Sequence, residues 1–203
     1  MSEQVLLERL MPRYDAIRIE HRLLMGDTAD VWEAVLDADF MRTADEMPAV
    51  RFLFGTRALA ERAVAAARGE SPTTPPEPES MRLRDLESHG EWVCLDDDPP
   101  HEVAFGAIGR FWAGETVWEQ IDADEFASFA EPGMAKIACS FSLRLCEERR
   151  TLVTYECRTL GTDPSARRAF MRYWRPLSPF IGFVLRAQLR TIETTLEETS
   201  RLG

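Results

Sequence analysis

Ile17-Arg18-Ile19-Glu20-His21-Arg22-Leu23-Leu24-Met25, then Gly26-Asp27-Thr28, then Ala29-Asp30-Val31-Trp32-Glu33-Ala34-Val35-Leu36-Asp37, is the stretch whose reading decides the fold. Its first part alternates. Ile17, Ile19, His21, Leu23 and Met25 fall on one face, and Arg18, Glu20 and Arg22 on the other, which predicts a half-buried strand with the apolar set turned inward. Asp27 or Thr28 is placed to cap the helix that follows over residues 29–36, because a short side-chain oxygen there accepts from the open N–H groups of the first turn. The far end of the chain answers this strand-to-helix unit. Residues 163–198 read as helix, with Phe170, Trp174, Leu177, Ile181, Val184 or Leu185, Gln188, Ile192 and Leu196 in a stripe at spacing three and four. Pro176 and Pro179 lack a donor and crowd the preceding turn, so a kink or break is expected there.

Between these ends the elements follow in order. A second helix is expected over residues 48–67, with Pro48 at its first position. Residues 69–80, with four prolines among Ser, Thr and Glu, are expected to form a loop. Strands are predicted over 82–87, 91–95 and 102–112, separated by Ser88-His89-Gly90 and by Asp96-Asp97-Asp98-Pro99-Pro100. A hairpin of strands 135–146 and 151–160 turns at Glu147-Glu148-Arg149-Arg150. Asp122-Ala123-Asp124-Glu125 reads as a capping box opening a short helix through Phe129. Val103, Phe105, Ala107 and Phe111 share a face with Ile137, Cys139, Phe141, Leu143 and Leu145, and with Val153, Tyr155 and Cys157. The opposite face, with Glu102, Arg110, Lys136, Arg144, Glu156 and Arg158, is expected to be solvated. Gly106 and Gly109 within a strand suit a sharply curved sheet.

Composition narrows the classes. The 203 residues, 45% of them hydrophobic, suffice for one sizeable core and show no break that asks for a second domain. A formal charge of -11 repels a phosphate backbone, so nucleic acid is not an expected partner. No apolar run approaches the roughly 20 residues of a transmembrane segment, and Glu3 and Glu8 stand where a signal peptide is basic and then apolar, so the expected location is cytoplasmic. Cys94, Cys139, Cys146 and Cys157 lack CxxC spacing and read as reduced core thiols.

A strand leading into a Val-Trp-x-x-Val-Leu helix, then a helical insertion, a multi-stranded antiparallel sheet and a long terminal helix resembles the START, polyketide-cyclase and pollen-allergen (SRPBCC) superfamily. The order of elements matches over residues 14–198, and local motif similarity covers 17–37 and, more loosely, 170–189. The resemblance implies an α+β helix-grip fold: a curved antiparallel sheet of about six strands wrapped around the C-terminal helix. It also implies a carrier or sensor of apolar molecules, or a cyclase or aromatase. Catalytic residues differ between branches of that superfamily, so none is carried over.

Chemistry-bearing constellations are few. The three histidines lie apart from one another at no metal-ligand spacing, Asp96-Asp97-Asp98 lacks the glycine and distal glutamate of a calcium loop, and no phosphate or dinucleotide fingerprint occurs. No metal or cofactor is expected. Three functional readings stand. The first is a module binding a small hydrophobic or amphipathic molecule between sheet and terminal helix, lined by His21, Phe105, Phe141, Tyr155, Trp174 and Ile181. The second is a cyclase-type enzyme on an apolar substrate. The third is an interaction domain with a filled core, and an exposed edge strand offers a surface for a homodimer.

Overall fold

The computed structural model describes residues 5–42, 80–89, 91–112 and 116–202. The helix expected at 48–67 and nearly all of the loop expected at 69–80 lie outside these residues. The elements are α1 (Leu6–Leu10), β1 (Ala16–Met25), α2 (Thr28–Asp37), a 3-10 helix (Leu83–His89), β2 (Val93–Asp98), β3 (Glu102–Arg110), β4 (Val117–Glu119), α3 (Ala123–Phe126), β5 (Ala135–Glu147), β6 (Arg150–Gly161) and α4 (Pro164–Leu202). All pairings are antiparallel, in the order β1-β6-β5-β3-β2 with β4 beside β3. The long helix α4 packs against β1, β6 and α2. This is the helix-grip arrangement.

Local chemistry explains most boundaries. Asp27 caps α2, its side chain accepting from the Asp30 amide at 3.0 Å. Asp163 does the same for α4, accepting from the Ser165 and Ala166 amides, and these bonds together with one from Gly133 hold its carboxyl below the ordinary range. The β5–β6 turn puts Arg149 at φ 57, the left-handed conformation that closes a tight hairpin. Helix α4 runs unbroken through Pro176 and Pro179. Its stripe is buried at Phe170, Leu185, Leu189, Ile192 and Leu196 and partly accessible at Trp174, Leu177 and Ile181.

Four expectations need correction. Residues 82–87 form no strand; most of the stretch belongs to the 3-10 helix. Asp122 precedes α3 without a side-chain capping bond, and α3 ends at Phe126. Leu145 is 55% exposed although it pairs in register with Thr151, at the end of the strand where the register shifts before Glu147. The charged outer face of the sheet is solvated only in part: Arg110 and Arg144 are exposed as expected, but its centre is covered. Glu102, Lys136 and Arg158 are buried, because α1 and α3 cover that convex side through Leu6, Leu7, Met11 and Phe126.

Under this cover each charged side chain makes hydrogen bonds, Glu102 through one oxygen only. Arg158 donates to the carbonyls of Leu7 and Met11 at 3.2 and 2.8 Å, to Glu156 at 2.5 Å, and to Glu8. Lys136 Nζ donates to the carbonyls of Phe126 and Ala127 at 3.2 and 2.9 Å, and burial lowers its pKa. Glu102 Oε2 accepts the first amide of α1, that of Leu6, at 2.9 Å. Ser140 lies close enough to favour the charged form, yet Oε1 is buried with no partner in hydrogen-bond geometry.

Burial is the leading cause that raises the Glu102 pKa. A carboxyl whose folded pKa exceeds its unfolded value favours the fold below the unfolded pKa and loses that contribution as pH rises through the folded one. Glu102→Gln keeps an acceptor for Leu6 and removes the buried charge. Its melting temperature relative to the native chain is therefore expected to be higher at pH 8 than at pH 4.5, as measured by thermal melts at both. An equal difference at the two values would show that the buried carboxylate carries no penalty.

Candidate functional site

The inward face of the sheet is built from cross-strand rows. One row runs Arg18, Cys157, Cys139, Phe105, Cys94 across β1, β6, β5, β3 and β2; the next runs Glu20, Tyr155, Phe141, Val103. Side chains directly opposite one another share a face. The β1 members of this face are thus Arg18, Glu20, Arg22 and Leu24, and the apolar set Ile17, Ile19, His21, Leu23 and Met25 points to the convex side. That overturns the expected orientation of β1. Ile19, Leu23 and Met25 are exposed, at 39%, 46% and 70%.

The charged face of β1 is satisfied by α4. Arg18 donates from Nε and Nη2 to Glu20 Oε1 at 3.0 and 2.8 Å, and Arg186 Nη1 donates to the same oxygen at 2.8 Å. Arg22 pairs with Glu193. Gly182 sits against the Arg18 guanidinium: a Cβ at this position would lie 2.3 to 2.5 Å from its atoms. Glycine in a helix interior costs about 1 kcal/mol relative to alanine, and here it gives the guanidinium its space.

Phe105, Phe141 and Tyr155 come together as expected. Phe141 and Tyr155 stack with ring centres 4.1 Å apart, and Phe141 also stacks on Phe40 and Phe105 at 5.9 Å each. Ile181 packs against the same cluster and is partly accessible. Trp174 lies farther along α4, against Phe170 at 5.7 Å. His21 is not among them. It is exposed on the convex face, with Nδ1 2.9 Å from Thr154 Oγ1, beside an open hollow of about 530 Å³ that Glu102, Ser142, Leu145 and Leu152 also line.

Away from the charged β1 side chains, two buried polar groups of the inner wall, Tyr155 and Cys139, are neutral near physiological pH. Burial pushes the Tyr155 hydroxyl and the Cys139 thiol well above their ordinary pKa values, with Cys157 adding to both. These groups serve as hydrogen-bond partners and not as bases. None of the four cysteines forms a disulfide; Cys139 is buried, Cys94 and Cys157 are partly accessible, and Cys146 is exposed. Sequence reasoning missed Arg18, Glu20, Gly182 and Arg186. The available signal was a glycine inside an otherwise strong helical stripe, one turn before an arginine.

Among the described residues no group of three or more His, Cys, Asp or Glu side chains could hold a metal ion, and no helix is long and apolar enough to cross a membrane. No family model and no curated protein matches the chain. Solved structures do align along most of it. A conserved protein from Geobacillus kaustophilus aligns at 11% identity and TM-score 0.42, over 91% of this chain and 97% of that one. A protein from Mesorhizobium loti aligns at 10% and 0.41, over 91% and 98%. The Zhui aromatase/cyclase from Streptomyces sp. R1128 aligns at 11% and 0.30, over 90% and 93%. Likeness this distant says nothing of function, and the fold rests on the strand order and helix placement above.

Proposed function

We propose that this helix-grip chain binds a small amphipathic molecule between the sheet and α4. One observation carries the reading. Trp92, Cys94, Ile137 and Cys157 on the sheet and Ile181 on the helix belong to the inward cluster, yet each keeps solvent access. Inward-facing apolar side chains that remain accessible, beside neutral hydroxyl and thiol groups, are the usual lining of a ligand cleft. The stacked centre of the grip, Phe40, Phe141 and Tyr155, supports a filled core in that part, so the cleft is assigned to the side where Cys157 and Ile181 lie. A cyclase-type activity has less support, because the inner hydroxyl and thiol ionise far above neutrality. The same reading takes the protein to be cytoplasmic, a compartment in which cysteine thiols stay reduced.

The test is a titration with fatty acids, sterols and aromatic polyketides, read by tryptophan fluorescence and thermal stability, with Trp174→Phe as the control for signal origin. At a free ligand concentration of 100 times Kd, binding adds about 2.7 kcal/mol. For a chain of this size that raises the melting temperature by about 5 to 11 °C. Absence of any shift across the three classes, with no small molecule co-purifying in native mass spectrometry, would leave the filled-core reading standing.

A further inference from the structure

We infer that the ligand's polar head is an anion, a carboxylate, seated on Arg18 and Arg186 where β1 meets α4. This rests on the cleft proposed above and names the chemistry of its charged end. Three guanidiniums, Arg18, Arg22 and Arg186, meet two carboxylates, Glu20 and Glu193, at this edge. The seam therefore has an excess of positive charge inside a chain of net charge -11.

The excess is localised. Arg22 and Glu193 pair with each other, while Arg18 and Arg186 share the single oxygen Glu20 Oε1. Arg18 Nη1 and Arg186 Nε and Nη2 have no acceptor among the described residues. A carboxylate is the acceptor that matches such N–H groups, since charge-assisted bonds from guanidinium to carboxylate are short and directional. A cationic head would meet the guanidiniums first.

The setting is built for this. Gly182 is the slot that lets the Arg18 guanidinium lie against α4, since any side chain there would displace it. Arg18 is neither sealed nor fully solvated; its side chain is 33% exposed and that of Glu20 14%. From Arg18 the row Cys157, Cys139, Phe105, Cys94 crosses four strand spacings, about 19 Å, without a charge. Cys139 and Phe105 in this row are buried in the core, so a molecule with its acid at Arg18 lays its apolar body on the accessible Cys157 and Ile181 and leaves no buried charge unpaired.

The experiment compares dodecanoate, 1-dodecanol and dodecylamine, titrated by calorimetry into the full chain and into Arg18→Gln, Arg186→Gln and Gly182→Ala. The native chain is expected to bind dodecanoate about tenfold or more tighter than dodecanol, with dodecylamine weakest. Arg18→Gln and Gly182→Ala, the latter adding a methyl at the guanidinium while keeping every charge, should bring the acid and the alcohol to about equal affinity. Arg186→Gln should reduce the preference in part. Equal binding of acid and alcohol by the native chain, or a preference that survives both Arg18→Gln and Gly182→Ala, overturns the assignment while the cleft stands. Failure of all three compounds to bind removes the cleft and the head site together. Should Arg18→Gln not fold, the native ratio and the exposed Arg186→Gln decide.

Discussion

Phe141→Ala is expected to destabilise the fold by about 3 to 5 kcal/mol, and to lower the melting temperature by about 6 to 20 °C. Phe141 has no solvent exposure, and its ring is stacked by Tyr155, Phe40 and Phe105. Truncation removes the apolar contact and leaves a void that three aromatic neighbours, fixed on two strands and the segment after α2, cannot close. Urea unfolding checks this, through a lower midpoint at unchanged slope. A loss below about 1 kcal/mol would mean that the stack is not packed as described, and that the centre of the grip is open.

A comparable loss is expected on the opposite side of the sheet. Arg158→Met should destabilise by about 3 to 5 kcal/mol, because the side chain is 3% exposed and its removal strands Glu156 and the carbonyls of Leu7 and Met11. The consequence is local first. This guanidinium holds the C-terminal end of helix α1 to the sheet through the Leu7 and Met11 carbonyls and Glu8, so hydrogen exchange of the amides of residues 6–11 should accelerate before the rest of the sheet is affected. The double change Glu156→Leu with Arg158→Met removes both charges and should recover part of the loss. No recovery would place the cost in the lost carbonyl bonds instead of the stranded carboxylate.

The order of elements was legible because it depends on short-range chemistry. Asp27 before Val31 and Trp32, the charged turn at Glu147 to Arg150, and the stripe from Phe170 to Leu196 each specify a cap, a hairpin or a helix face within a few residues. The inward rows through Phe105, Phe141 and Tyr155 were legible too, since β3, β5 and β6 keep apolar side chains on one face over most of their length. Residues 82–87 misled for the same local reason: their composition tolerates a strand, but no neighbouring strand takes up their backbone bonds.

The sequence by itself determined the alternation of β1, two faces at period two, but it did not determine which face turns inward. Apolar residues point in by default, and Ile17, Ile19, Leu23 and Met25 should have been buried. Tertiary structure decided otherwise, because α4 brings Arg186 and Glu193 to Glu20 and Arg22, and Gly182 opens room for Arg18. A charge can face inward once its partners arrive on a separate element more than 150 residues away. The burial of Glu102, Lys136 and Arg158 has the same origin, in the cover supplied by α1 and α3. Alternation is a property of neighbours along the chain; the choice of face belongs to whatever packs across it.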